Sequence, residues 1–216
     1  MSATAFMNRT AGRAVRSHLQ LNPASTAFLV CDIQERFRGL IWNYPHVINT
    51  ASKMLDAAKL LNVPVLVTEQ HPKALGHTVQ ELDIKQARVI AAKTKFSMFV
   101  PEVQEFMKKN LGESPSAVLF GIESHVCVMQ TALELLDHDV NVIVLADGVS
   151  SMNPGEVKIA INRLRAAGAT VASSESVLFQ LMGDASHEKF KEVSKLVKEY
   201  KDKTTGALDA LVSANL

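Results

Sequence analysis

The sequence predicts an α/β fold: a doubly wound, Rossmann-like sandwich with a parallel sheet between two helical layers. Three observations carry this. Six short apolar runs rich in strand-forming residues alternate with segments whose apolar residues recur at three- and four-residue spacing. Strands alternating with helices imply parallel neighbours joined by right-handed crossovers. The chain has 216 residues, 47% of them hydrophobic, with no internal repeat, which suits one domain with a sizeable core.

The elements follow in order. Thr26-Ala-Phe-Leu-Val-Cys-Asp32 comes after the turn-forming Asn22-Pro-Ala-Ser25 and predicts a strand buried on both faces. A polar and aromatic loop, 33–42, leads to a helix with Pro45 near its first turn. Its apolar stripe is Val47, Ile48, Ala51, Met54, Leu55, Ala58 and Leu61. Val63 to Thr68 is a second strand, with Pro64 tolerated at its start. Residues 69–83 predict a long loop, and 88–92 a short third strand. Pro101 opens a helix that Gly112 ends. Ala117 to Phe120 is a fourth strand, followed by a helix bearing Val126, Met129, Leu133 and Leu136.

Residues 140–146 form a fifth strand. Asn153-Pro-Gly-Glu156 has capping-box spacing before a helix that Gly168 closes. Residues 169–172 are a sixth strand, and 174–182 and 187–200 are two more helices. The domain is expected over 23–202, between an N-terminal arm (1–22) and a C-terminal tail (203–216). The arm carries Arg9, Arg13 and Arg16 and no acid, a composition like a mitochondrial presequence; a short, poorly ordered arm is the preferred expectation. The tail either docks through Leu208 and Leu211 or frays.

A net charge of +1 gives no reason to expect nucleic acid or an anionic membrane as partner. No apolar run is long enough to span a bilayer. Two cysteines, Cys31 and Cys127, make no disulfide framework and point to a reducing compartment. The cytoplasm is expected, with the mitochondrion as the alternative that the arm raises.

In a doubly wound sheet the site lies at the carboxyl ends of the strands. Asp32, Lys93 and Cys127 are the reactive side chains there. If Ser124 caps the helix after strand four, Cys127 is its third residue, where free N–H groups and the helix dipole favour a thiolate. Such a cysteine is a candidate nucleophile; a buried structural cysteine is the alternative. Asp32 can take the thiol proton and later give it to a leaving group. Lys93 supplies positive charge that favours both anions, although Lys95 competes for that role.

Three motifs carry a resemblance: Leu29-Val-Cys-Asp-Ile-Gln34 with Phe37, Lys93-Thr-Lys-Phe-Ser97, and Gly121-Ile-Glu-Ser-His-Val-Cys-Val128. In order and spacing the chain resembles the isochorismatase-like superfamily of cysteine hydrolases, from about Thr26 to Tyr200. Val67-Thr-Glu-Gln70, Gly76, Phe96-Ser-Met98 and Ser174-Glu175 bring it nearest the isochorismatase domain-containing subgroup.

The resemblance implies the strand order 3-2-1-4-5-6 and a triad of Asp32, Lys93 and Cys127. It also implies a cis peptide at Ile122–Glu123, which would aim the Glu123 N–H, beside that of Cys127, at an oxyanion. The implied chemistry is cleavage of a C–N bond in a small amide or ureide through a thioester, because the ether-cleaving members lack the cysteine. An ether hydrolase, or a binding module with a redox-sensitive Cys127, are the alternatives. Phe37, Gln70 and Phe96 are candidate substrate-binding residues, with core aromatics and a loop amide as the plainer assignments. Glu69, His71 and His77 resemble the loop that holds metal in nicotinamidases. Glu replaces Asp there, so no metal or cofactor is expected and zinc is the lesser option. The family's habits imply a homo-oligomer acting on a small-molecule substrate.

Overall fold

The structure, a computed structural model, describes residues 21–213. The expectation for the N-terminal arm therefore lies almost wholly outside the described residues. Six strands are present: β1 (Thr26–Cys31), β2 (Val65–Gln70), β3 (Val89–Lys93), β4 (Ser116–Ile122), β5 (Asn141–Ser150) and β6 (Thr170–Ala172). They form one parallel sheet in the order β3-β2-β1-β4-β5-β6. Both the doubly wound prediction and the strand order implied by the resemblance hold.

β1 shows why. All six of its residues are buried, as an unbroken apolar run requires. Its side chains alternate between two cores. Phe28 and Val30 join a cluster with Val47, Met54, Leu55, Phe120 and Leu178. Ala27, Leu29 and Cys31 join another with Val103, Met107, Cys127, Leu135 and Leu164. The first core lies under α1 (Tyr44–Leu61), α6 (Ser174–Met182) and α7 (Phe190–Glu199). The second lies under α3 (Pro101–Asn110), α4 (Cys127–Asp137) and α5 (Pro154–Ala167).

Three details differ from the sequence prediction. The loop over 69–83 contains a one-turn helix, α2 (Pro72–Leu75), started by its proline. β3 runs on to Lys93. β5 continues past Ala146 to Ser150, because a register shift between Leu119 and Gly121 lets Gly121 pair with Val149.

The tail docks as far as it is described. α8 (Lys201–Ala207) and a π turn, Leu208–Val212, bury Ala207 and Leu211 against the first layer. Lys53 of α1 donates from Nζ to Thr204 Oγ1 at 2.8 Å. Among the described residues no helix is long and apolar enough to cross a membrane.

Candidate active site

The sheet order brings the three predicted residues to one edge. Asp32 follows β1, Lys93 ends β3 and Cys127 opens α4. Asp32 has φ 53, in the left-handed region, which turns the chain as it leaves β1. Lys93 Nζ lies 2.7 Å from Asp32 Oδ2, and both side chains are 1% exposed. Thr68 Oγ1 donates to Asp32 Oδ1 at 2.8 Å.

Lys93 Nζ also faces Gln70 Oε1 at 2.6 Å and the carbonyls of Phe96 and Lys95 at 2.9 and 3.2 Å. An ion pair taken out of water is tolerable only when such partners surround it. Lys95 is spent elsewhere: its Nζ binds Glu134 Oε1 at 2.5 Å and the Phe99 carbonyl at 3.3 Å. The geometry thus selects Lys93 over Lys95.

Cys31 joins the pair to the thiol. Its Sγ is 3.8 Å from Asp32 Oδ2. Burial, then a hydrogen bond with the Cys127 thiol and the Asp32 charge, push the Cys31 thiol well above its ordinary range. Cys31 therefore stays an S–H group between Asp32 and Cys127.

Two expectations about the turn before Cys127 are corrected. Among the described residues no peptide is cis, so the Ile122–Glu123 bond is trans. The chain turns instead through Glu123 itself, at φ 57. Ser124 does not cap the helix either; α4 begins at Cys127, its first rather than third residue, with Val126 at the cap position. The reason is a backbone acceptor. The Glu123 carbonyl takes hydrogen bonds from Val126 N at 2.9 Å and Val128 N at 3.2 Å, so no side-chain cap is needed. Ser124 donates its N–H to Ser150 O, and its hydroxyl is buried without a partner.

Glu123 is half-buried, and burial pushes its carboxyl above the ordinary range. Its Oε2 lies 3.3 Å from His125 Nδ1. Of the substrate-binding candidates, Gln70 stands beside the ion pair, its Nε2 donating to the Thr94 carbonyl at 2.9 Å. Phe96 is 50% exposed and is no core aromatic. Phe37 sits on a 3-10 turn, Glu35–Phe37, partly buried against the first core.

Sequence reasoning gave no role to Gln34, which braces the site. Its Nε2 donates to the carbonyls of Gln70 at 2.9 Å and Gly76 at 2.6 Å, and its Oε1 accepts from Gln70 N at 2.7 Å. Gln34 is fully buried two residues after Asp32, and no local sequence pattern announces it. Glu69 is braced too. Burial raises its pKa, but hydrogen bonds from Thr78 and His77 outweigh that and hold it below the usual value. Thr78 N and Oγ1 reach Glu69 Oε1 at 2.7 and 2.9 Å, while His77 Nδ1 reaches Oε2 at 2.8 Å. Glu69 and His77 are thus in contact, but among the described residues no three His, Cys, Asp or Glu side chains are grouped to hold a metal ion.

Residues 26–176 match the isochorismatase domain. Isochorismatase domain-containing protein 1 of Salmo salar is 45% identical over 82% of this chain, which spans 62% of that relative's length. Among solved structures, the MAR1 ribonuclease from Caenorhabditis elegans superposes with TM-score 0.78 at 42% identity, over 83% of this chain and 92% of that one. The octameric YcaC hydrolase of Escherichia coli shares the fold, with TM-score 0.75 at 22% identity over 88% and 97%. With the sheet order and the conjunction of motifs already described, these matches show that the chain belongs to the isochorismatase-like hydrolase family, in the isochorismatase domain-containing subgroup.

Proposed function

We propose that the protein is a cysteine-dependent hydrolase that cleaves the C–N bond of a small amide or ureide. The observation that supports this best is the buried Lys93–Asp32 pair, linked to Cys127 by the Cys31 thiol. A fixed acid beside a thiol at a helix start suits nucleophilic catalysis.

Cys127 gives its proton to Asp32 and attacks the substrate carbonyl, forming a C–S bond. The oxyanion meets the N–H of Cys127, which as a first helical residue has no partner within the helix; with the Ile122–Glu123 peptide trans, the Glu123 N–H loses the aim that the cis bond would have given it. The C–N bond breaks and Asp32 returns the proton to the leaving amine. Water then attacks the thioester, gives a proton to Asp32, and the acid leaves as the thiolate re-forms. Lys93 holds the carboxylate in place throughout, and Gln70 and Phe96 border the approach. At 6% exposure Cys127 suits a small substrate rather than a polymer, which separates this reading from the ribonuclease named for the C. elegans neighbour.

A screen of small amides, ureides and isochorismate, with RNA as a control, tests the reaction. Cys127→Ala is expected to lower kcat by at least about a thousandfold. Full activity in that variant would overturn the mechanism. We also propose a homo-oligomer, on the octamer named for the E. coli neighbour and on Leu40, Phe96 and Met152, apolar residues exposed on the loops after β1, β3 and β5. Sedimentation of the purified protein as a monomer would contradict it.

A further inference from the structure

The proposed hydrolysis uses one thiol, yet two stand together. Cys31 and Cys127 are the only cysteines of the chain. The alternation along β1 points Cys31 into the same core as Cys127. Cys31 lies opposite Gly121 in the β1–β4 register, and α4 begins shortly after that glycine. A side chain at Gly121 would crowd this space: its Cβ would fall 2.8 Å from Cys31 Cβ and 2.1 Å from the Cys31 carbonyl oxygen. The glycine leaves room for the Cys31 side chain toward the start of α4, where its thiol neighbours that of Cys127 in the same core.

The geometry points to Cys31 and Cys127 as a modification site: a dithiol that a hydroperoxide converts to an intramolecular disulfide. The inference rests on Cys127 being the reactive thiol of the proposed mechanism. In the first step the Cys127 thiolate attacks one peroxide oxygen. The O–O bond breaks, sulfur is oxidised to the sulfenic acid, and the peroxide leaves as water or alcohol after protonation. In the second step Cys31 sulfur attacks Cys127 sulfur. The S–S bond forms, the S–O bond breaks, and the Cys31 proton leaves with the hydroxyl as water. With both thiols in one buried cluster, the resolving thiol stands ahead of a second peroxide. The disulfide removes the nucleophile, and an external dithiol restores both thiols by exchange.

The test treats the full chain with hydrogen peroxide and maps its peptides by mass without reduction. The wild type is expected to yield a Cys31–Cys127 cross-linked peptide lighter by two hydrogens, lose both free thiols and recover them with dithiothreitol. In Cys31→Ala and Cys31→Ser, dimedone labelling of Cys127 should rise at least about fivefold, followed by sulfinate that dithiothreitol does not reverse. A cross-link between two chains, or Cys127 sulfinate forming equally fast in wild type and Cys31→Ala, would overturn the proposal. If neither variant folds, the wild-type peptide map decides alone. No readout requires a substrate, so failure here is distinct from failure of the Cys127→Ala turnover test.

Discussion

Lys93 illustrates how much one side chain can hold. Its ammonium neutralises Asp32 and is faced by Gln70 and two carbonyls, in a site 1% exposed to solvent. Lys93→Met keeps the volume and removes the charge, leaving Asp32 buried and unpaired. Breaking a buried pair in this way costs about 3–5 kcal/mol. Chemical denaturation of the variant should show a loss of that size, alongside a fall in turnover of at least about a hundredfold. A variant as stable as wild type would mean that water reaches Asp32 freely. That Asp32, Lys93 and Cys127 meet at one sheet edge was legible because the first two directly follow apolar runs and the third follows the turn after another. Gln34 was not: its partners are 36 and 42 residues away along the chain, and no local pattern records contacts of that kind.

At the scale of elements, the passage from β4 to α4 decides how the thiol is presented. Gly121 has φ 142, and its α-hydrogen faces the Cys31 carbonyl where a methyl group would overlap it. Gly121→Ala therefore combines backbone strain with a backbone clash, and should lower stability by about 3 kcal/mol or more. Thiol labelling of Cys127 in the folded variant should change rate with it; unchanged stability and labelling would show that the strand can shift to absorb the methyl. The strand and helix themselves were legible from a short apolar run followed by three- and four-residue spacing. The turn between them was not. Glu123 adopts left-handed backbone although nothing in its identity announces it, and Asp32 does so as a residue type that visits this region only occasionally. The same gap explains why Ser124 looked like a cap: the acceptor actually used is a carbonyl, which every residue owns.

At the scale of the whole molecule, the closing turns of the chain are tied to its first helix through a buried amine. Lys53 is 1% exposed, and burial lowers its pKa while the charges of Asp147 and Glu175 work against that. The unfolded chain therefore binds the proton more tightly than the folded one. Stability must rise with pH between the lowered folded value and the ordinary lysine value of 10.5, and the cost is fully present below the folded value. Lys53→Met removes this dependence. In urea unfolding, the wild type should gain stability relative to Lys53→Met as the pH rises toward 10.5. A parallel pair of curves would show that Lys53 keeps its ordinary affinity for protons. The overall architecture was the most legible level of all, because six buried runs between amphipathic segments leave few ways to pack. The docking of residues 201–212 was legible only as one of two options: Leu211 is buried as that option required, but Ala207 and the long-range Lys53–Thr204 hydrogen bond leave no local pattern.

The position of β1 in the middle of the sheet has a consequence for biosynthesis. β1 is flanked by β2 on one side and β4 on the other. As the chain leaves the ribosome, β1, β2 and β3 can pair as soon as they are made, but the other edge of β1 must wait until Ser116 to Ile122 has emerged. During that interval a flat apolar strand presents unpaired N–H and C=O groups to any extended segment nearby. The strand that carries Cys31 into the site is thus also the nascent chain's most exposed template for mispairing, and prompt insertion of β4 both seals that edge and delivers Cys127.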